Sequence, residues 1–251
     1  MSTDRYARHL ALAGFGAAEQ ARLRDATALV IGAGGLGSPA LLYLAAAGIG
    51  RLVVSDFDNV DITNLQRQVL FATDDVGRSK AEAAAAQLEA LNPDTAVTPI
   101  GARLSGEALA AAVAAANVVL DCCDNFATRF AVNAACVAAR KPLVSGAAIR
   151  FEGQLAVFRA DRPGSPCYRC LWEEESEELE NCRGNGVLGP VTGVIGSMMA
   201  VEALKIASGC APSADGRLML YDAREGSWRS LRLERDPACP VCGGRRPCAE
   251  L

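Results

Sequence analysis

The chain has 251 residues, of which 51% are hydrophobic and 22% are charged, and its formal net charge is -4. This composition predicts a single domain over residues 1–251 with a large core. The negative charge argues against a nucleic-acid partner, because phosphate backbones are bound by basic surfaces. The uncharged run at residues 186–201 is short for a membrane span. The charged N-terminus lacks the apolar core of a signal peptide, so we expect a cytoplasmic protein with no membrane contact.

A predicted N-terminal helical arm of about residues 3–24, interrupted near Gly14 and Gly16, precedes the most informative stretch. Residues 28–58 have the order strand, glycine-rich turn, helix and strand, which is typical of nucleotide-binding α/β folds. Asp56 ends the second strand about 20 residues after the glycines, where a carboxylate can bind ribose hydroxyls. Alternatively, the glycines serve only a sharp turn between strand and helix and bind no ligand. The expected nucleotide-binding residues here are Gly32, Gly34, Gly35, Gly37 and Asp56.

A polar segment that contains two cations follows Asp56. Asn64, Arg67 and Gln68 lie within two helical turns, so their side chains can face one direction. Lys80 begins an alanine-rich helix. Fixed cations near a glycine turn suit a polyphosphate better than a nicotinamide, because catalysis on phosphates depends on positioning and charge stabilisation. Arg67 or Lys80 alone would more typically be a solvated cation on the protein surface.

Strands and helices continue to alternate, and Asp124 follows a strand at residues 118–120. In an open α/β sheet, ligands bind beyond the carboxyl ends of the strands, so Asp124 is expected to face the same crevice as Asp56. Because Mg²⁺ prefers carboxylate and phosphate oxygens, Asp124 is a candidate magnesium ligand. Alternatively it caps the helix at residues 126–139, a role also open to Asn125. The nearby thiols Cys122, Cys123 and Cys136 are expected in the core.

Two C-x-x-C pairs are the strongest local signal. Four thiolates in this arrangement are typical of a closed tetrahedral zinc site, which is structural because no ligand position is open. Chance pairs of free cysteines are the alternative. The four expected zinc ligands are Cys167, Cys170, Cys239 and Cys242.

The remaining segments complete the predicted fold. A strand at residues 142–145 leads to an antiparallel strand. Residues 172–188, which include Cys182, are expected to form a mobile loop. In a helix at about residues 190–207, the small residues Gly193, Gly196 and Ser197 permit close packing. Residues 244–251 are an expected disordered tail. The fold class is α/β: a Rossmann-like mixed sheet with helices on both faces, an N-terminal helical segment and a four-cysteine zinc staple.

The ordered set of motifs resembles the ThiF/MoeB/HesA family of adenylyltransferases, relatives of the ubiquitin-activating enzymes. The resemblance runs from about residue 5 to residue 243. It is carried by residues 5–8, 32–37, 56–58, 64–68, 80, 121–125, 142–150, 189–196 and the two C-x-x-C pairs.

The resemblance implies ATP-dependent adenylation of the C-terminal glycine of a small ubiquitin-like sulfur carrier. It assigns Asp56 to the ribose of ATP and Asp124 to Mg²⁺, and it implies a homodimer in which Arg8 reaches the partner subunit's triphosphate. Three side chains are assigned to the phosphates, namely Asn64, Arg67 and Lys80.

The family's two pathways remain open from the sequence. The sequence of residues 145–150 favours a MoaD-like carrier and molybdenum cofactor biosynthesis. A ThiS-like carrier of thiamine biosynthesis is the alternative. Cys182 either takes part in sulfur transfer or is an incidental exposed thiol, because Arg183 favours its thiolate while the preceding glutamates oppose it. Two other classes of protein remain as alternatives. One is a nicotinamide dehydrogenase, which would give no role to Arg67 and Lys80, and the other is a non-enzymatic nucleotide sensor.

Overall fold

The computed structural model describes residues 5–172 and 186–243. Most of the predicted loop at residues 172–188, including Cys182, lies outside these ranges, as does the predicted tail at residues 244–251. The helices are α1 (Ala7–Leu10), α2 (Ala17–Asp25), α3 (Gly37–Ala46), α4 (Lys80–Leu91), α5 (Gly106–Ala115), α6 (Phe126–Ala139), α7 (Tyr168–Leu171) and α8 (Gly189–Ser208). The strands are β1 (Thr27–Ile31), β2 (Arg51–Ser55), β3 (Ala96–Ile100), β4 (Val118–Asp121), β5 (Pro142–Ile149), β6 (Glu152–Arg159), β7 (Arg217–Asp222) and β8 (Ser227–Arg232).

One eight-stranded sheet has the order β3-β2-β1-β4-β5-β6-β7-β8. The first five strands in this order are parallel, and β6, β7 and β8 extend the sheet in antiparallel sense. The predicted Rossmann-like mixed sheet is confirmed. Pro99 lies in β3 at the sheet edge, where a missing backbone donor is tolerated.

Alternate residues of the buried strands serve two separate cores. Ala28 and Val30 of β1 belong to a cluster with α3, α4 and α8, whereas Leu29 and Ile31 belong to a cluster with α5 and α6. All five residues of β1 are buried, as expected for a parallel strand that is covered on both faces. The prediction of helices on both faces is therefore confirmed.

Strand β5 is longer than the sequence predicts. The prediction ended it at Ser145 and began the antiparallel strand near Ala148, but Gly146 to Ile149 continue β5 and pair with β6. The chain reverses at Arg150, which has a φ of 52°. No glycine or asparagine marks this turn, so turn chemistry in the sequence could not locate it.

The N-terminal arm packs at the amino ends of the strands. It forms two helices, separated at residues 11–16 near the predicted interruption. The Tyr6 ring is buried against Gly48, just before β2, and its hydroxyl accepts a hydrogen bond of 2.9 Å from the Asn92 side chain, just before β3. The arm is therefore anchored opposite the carboxyl ends of the parallel strands.

Helix α8 packs closely against α3. Gly196 lies on the Leu36 carbonyl and the Pro39 ring, with no room for a Cβ, whereas nothing lies within 4 Å of a Cβ position at Gly193. The close-packing prediction is therefore correct for Gly196 and wrong for Gly193. Within the described ranges, α8 is the one helix long and apolar enough to cross a membrane, and half of it is buried inside the protein.

These two glycines provide a matched pair of variants. Gly196→Ala should lower the free energy of unfolding by about 1–3 kcal/mol, because the added methyl group overpacks the α3 contact. Gly193→Ala should raise it by up to about 1 kcal/mol, because alanine favours the helix. Urea denaturation measures both values. Equal effects of the two substitutions would contradict the packing assigned to Gly196.

Candidate functional site

A cavity of about 430 Å³ opens where β1, β2, β4 and β5 end. This volume lies within the usual range of ligand sites. Ten residues are predicted for the nucleotide, phosphate and magnesium site of the chain's own cavity. Eight of them line it, namely Gly32, Gly34, Gly35, Asp56, Arg67, Gln68, Lys80 and Asp124. Gly37 follows the lining residue Leu36, and Asn64 does not line the cavity.

The glycine turn brings free backbone donors to the cavity. Gly32 has a φ of 94°, and a Cβ on it would press on the Cys122 carbonyl. Within the described part of the chain, the N–H groups of Gly34, Gly35 and Leu36 donate no hydrogen bond. These groups precede the N-terminus of α3, where the helix dipole favours an anion. The turn can therefore hold a phosphate group.

Gly37 makes the sharp entry into α3 possible. A Cβ on this residue would overlap the carbonyl oxygen of Gly32. Gly37 therefore permits α3 to pack closely against the end of β1.

Asp56 links the glycine turn to the end of β2. Its Oδ2 accepts the Ala33 N–H at 2.8 Å and its Oδ1 accepts the Asp58 N–H at 2.9 Å. Burial raises the pKa of this carboxyl above its ordinary value, although the Lys80 charge opposes the effect. Each carboxylate oxygen keeps a further lone pair that can accept a hydrogen bond from a ligand.

Lys80 is a buried cation at the cavity wall. Its side chain is 7% exposed, and Nζ lies 3.2 Å from Oδ2 of Asp58. The half-buried Arg67 side chain donates to the Thr63 carbonyl at 3.1 Å. Because neither interaction uses all of the cation's donors, both side chains can also bind an anionic ligand.

Gln68 lies beside the glycine turn with its amide oxygen unpaired. Its Nε2 is 3.7 Å from the position of a Cβ on Gly34. Among the residues that the structure describes, Oε1 of Gln68 is the one buried side-chain oxygen or nitrogen without a hydrogen-bond partner. Such a group costs about 1–3 kcal/mol while it stays unpaired, so this oxygen is free to accept a hydrogen bond from a ligand.

Asp124 is exposed at the cavity, and Asn125 caps α6 in its place. The Asn125 side chain accepts the Thr128 N–H at 2.9 Å. In residues 5–172 and 186–243, the Asp124 carboxylate has no hydrogen bond or ion pair. An unpaired carboxylate at a cavity that can hold a phosphate group has the chemistry of a magnesium ligand.

A buried charge network below Asp124 is absent from the sequence predictions. Arg129 donates to the Cys123 carbonyl at 2.5 Å and to the Ser145 hydroxyl, and it forms an ion pair of 3.4 Å with Asp121. The Ser145 hydroxyl in turn donates to Asp121 at 2.9 Å. The signal for Arg129 was its position on the core-facing side of α6, three residues before Val132. This network fixes the loop that carries Asp124.

A second omission is the pair Phe57 and Arg103 at the cavity mouth. The Arg103 guanidinium lies 4.5 Å from the Phe57 ring centroid. Arg103 lies three residues after β3, so the rule about carboxyl ends of strands could have found it. The pair gives the mouth a flat aromatic and cationic surface.

Of the two thiols after β4 that were expected in the core, only Cys122 is buried there. Cys122 is buried as predicted, but Cys123 is half-buried, lines the cavity and donates from its Sγ to Asp121. Burial, followed by the nearby Asp121 charge, raises the pKa of both thiols. Neither is therefore a thiolate nucleophile at neutral pH. Cys136 is buried, as predicted.

The two C-x-x-C pairs meet in one cluster. Their four Sγ atoms, from Cys167, Cys170, Cys239 and Cys242, lie within 4.8 Å of one another. The Sγ–Sγ distances include 3.3, 3.7 and 4.0 Å. Sulfurs at the corners of a zinc tetrahedron are about 3.8 Å apart, as follows from Zn–S bonds of about 2.3 Å. The cluster therefore fits a tetrahedral metal ion.

Two predicted site residues remain apart from the cavity. The Asn64 side chain accepts the Asp61 N–H at 3.3 Å in a local turn. Arg8 is exposed in α1, which follows Tyr6 at the opposite end of the sheet. The structure therefore does not bring Arg8 to the cavity of its own chain.

Comparisons with known proteins agree with one another. A family model described as the ThiF family matches residues 6–241. The sulfur carrier protein ThiS adenylyltransferase of Escherichia coli K12 is 50% identical over 240 residues, which cover 96% of this chain and 95% of that protein. The molybdopterin-synthase adenylyltransferase of the same strain is 47% identical over 239 residues, with 95% and 96% covered. A structure of E. coli MccB with succinimide has a TM-score of 0.86 and 24% identity, covering 97% of this chain and 75% of that one, so it supports the fold.

The buried charge network should contribute strongly to stability. Arg129→Met leaves Asp121 buried without its ion-pair partner, so we expect the free energy of unfolding to fall by about 3–5 kcal/mol. Arg162→Met is the control, because Arg162 pairs with Asp215 at the surface and should cost less than about 1 kcal/mol. Urea denaturation distinguishes the two. A cost for Arg129→Met as small as the control's would show that Asp121 does not depend on this partner.

Proposed function

Since the chain belongs to the ThiF family and is an enzyme of the adenylyltransferase type, we propose that it adenylates the C-terminal carboxylate of a ubiquitin-like sulfur carrier. The carrier would be MoaD-like, and the pathway molybdenum cofactor biosynthesis. The observation that carries the proposal is the convergence of phosphate-binding groups on one cavity. Free N–H groups of the glycine turn, the cations Lys80 and Arg67 and the unpaired Asp124 carboxylate all line it.

In the proposed reaction, the carrier's terminal carboxylate oxygen attacks the α-phosphorus of ATP. A new bond forms between this oxygen and the α-phosphorus, and the bond from the α-phosphorus to the bridging oxygen breaks. Pyrophosphate leaves with the electron pair, and the carrier becomes an acyl adenylate. The step needs no nucleophilic side chain, in agreement with the raised pKa of Cys122 and Cys123.

Each residue has a physical task in this proposal. Asp56 accepts hydrogen bonds from the ribose hydroxyls while it holds the glycine turn. Lys80 and Arg67 stabilise the charge on the phosphates, because an approaching carboxylate would otherwise meet like-charge repulsion. Asp124 would hold Mg²⁺, which supplies further charge neutralisation when bound.

Three further side chains complete the proposed nucleotide contacts. The unpaired Gln68 amide oxygen would accept from a nucleotide donor. The half-buried Asn64 amide is proposed to reach the phosphates after a local change in its turn. Arg8 would act at the partner subunit's cavity in a homodimer, since α1 lies far from the cavity of its own chain.

The four-cysteine cluster is proposed to hold a structural zinc ion. Its sulfur spacing fits the tetrahedral geometry, and four protein ligands leave no open position. We further propose a cytoplasmic location and no nucleic-acid or membrane partner, as the composition indicates.

A ThiS-like carrier in thiamine biosynthesis is the second candidate substrate. The identity of 50% with the E. coli ThiS adenylyltransferase, slightly above the 47% with the molybdopterin-synthase adenylyltransferase, favours it. In that pathway Cys182 would take part in sulfur transfer. This residue lies outside the described ranges, so its role stays a sequence prediction.

Pyrophosphate exchange into ATP tests the proposal directly. Purified protein with Mg²⁺ should incorporate labelled pyrophosphate into ATP only when a MoaD-like or ThiS-like carrier with intact terminal glycines is present. Asp124→Ala and Lys80→Ala should each lower the exchange rate by at least about 100-fold, because each removes charge stabilisation of the transition state. The carrier that supports exchange identifies the pathway.

Asp74→Ala is the matched control, since Asp74 is an exposed carboxylate outside the cavity lining. It should leave the exchange rate unchanged. Exchange without any carrier, or an unaltered rate in Asp124→Ala, would contradict the proposal. ATP binding with no exchange for either carrier would indicate a nucleotide sensor.

The raised pKa of Asp56 predicts a pH dependence of ATP binding. Protonation removes an acceptor from the ribose, and a raised pKa means that protonation begins above the ordinary aspartate value of about 3.9. The wild type should therefore bind ATP more tightly than Asp56→Asn near neutral pH. This difference in affinity should decrease as the pH falls, and the decrease should begin above pH 4. Titration of ATP itself affects both proteins and cancels in the ratio of the two Kd values, measured calorimetrically. A ratio independent of pH would exclude this role of Asp56.

A further inference from the structure

Asn133 of helix α6 is a fully buried amide that contacts the cysteine cluster. Its side chain is almost completely enclosed, with 1% of the residue exposed. Nδ2 donates to the Sγ of Cys167 at 3.6 Å, and Oδ1 accepts the backbone N–H of Tyr168 at 2.9 Å. Both ends of the amide therefore contact the segment that carries the first C-x-x-C pair.

The orientation of this amide follows from chemistry. The Tyr168 N–H can only donate, so the carbonyl end of the Asn133 amide must face it. The NH₂ end is then directed at the Cys167 sulfur. Cys167 is itself buried and is a sulfur neighbour of Cys239 at 3.7 Å. The amide consequently contacts the buried side of the cluster.

A four-thiolate site with a divalent metal carries two net negative charges, which are costly to bury without donors. An N–H group directed at a buried thiolate offsets part of this cost, since hydrogen bonds to charged acceptors are stronger than neutral ones. Groups that orient and support metal ligands in this way commonly change metal affinity by 10–100-fold when they are removed.

We infer that Asn133 is a positioning residue of the metal site, holding Cys167 in ligand geometry and strengthening metal retention. The inference rests on the proposed zinc ion. It also links the cysteine cluster to α6. Arg129, one turn earlier in the same helix, donates to the Cys123 carbonyl beside the cavity. Helix α6 thus contacts the cavity loop through one side chain and the metal cluster through another.

Competition with a chromophoric chelator measures the Zn²⁺ affinity of the full-length protein. Asn133→Ala should bind Zn²⁺ about 10–100-fold more weakly than the wild type. Asn133→Asp should lose at least as much, although it retains an acceptor for Tyr168, because a carboxylate faces the thiolates in place of a donor. Metal content of the purified wild type, determined by mass spectrometry, tests the zinc ion separately from the role of Asn133.

Val132→Ala is the matched control, because Val132 is buried on the same helix in the hydrophobic cluster that α5 and α6 share. It should lower the free energy of unfolding while leaving the Zn²⁺ affinity unchanged. Wild-type affinity in Asn133→Asp, or equal weakening by Val132→Ala and Asn133→Ala, would overturn the inference.

A measurement on the unaltered chain covers the case in which the variants do not fold. After replacement of the metal by ¹¹³Cd, NMR should detect coupling between cadmium and the Asn133 side-chain amide protons, transmitted through the N–H···S hydrogen bond. Cadmium bound by the cysteines without this coupling would equally overturn the inference.

Discussion

The hydrogen bond from the Ala33 N–H to the Asp56 carboxylate is the contact on which the cavity depends. It joins the turn after β1 to the residue after β2, and the Gly32 N–H reinforces the junction by donating to the Ser55 carbonyl at 2.8 Å. Because Asp56 holds the turn from the side, the following N–H groups remain directed at the cavity. The same carboxylate is held at the carboxyl edge of the sheet, where it can also contact a ligand. One buried acid thus shapes the glycine turn and lines the cavity, and burial is the reason its pKa is raised.

Much of the fold followed from local sequence patterns. Buried apolar strands, the glycine turn and alanine-rich helices each carry a short-range signal, and the rule that parallel strands end at one edge then placed Asp56 and Asp124 together. The two cysteine pairs were recognisable because metal coordination needs a fixed spacing within each pair. These predictions required no knowledge of the packing between distant segments.

The missed features depend on such packing. Arg129 and Asn133 lie in the predicted helix at residues 126–139. Their partners Asp121 and Cys167 are reached only when α6 packs on the sheet and on α7. The β5–β6 reversal at Arg150 was missed because a left-handed arginine leaves no signature in the sequence. The position of Arg8 also depends on more than local sequence. A single chain places it away from the cavity, and only an assembly could give it a role there.

The near-equal identities to ThiS and molybdopterin-synthase adenylyltransferases agree with a proposed reaction that is the same for both carriers. In the proposed function, adenylation would use the same groups for either carrier: N–H groups and cations that bind the phosphates, and a carboxylate that would hold a metal ion, all at the carboxyl edge of the parallel strands. Discrimination between carriers must therefore come from surfaces that contact the carrier outside the reacting carboxylate. The cavity residues that define the chemistry carry little information about the pathway. Residues that differ between the two groups of relatives are then expected on the carrier-facing surface, and the reaction itself constrains them least.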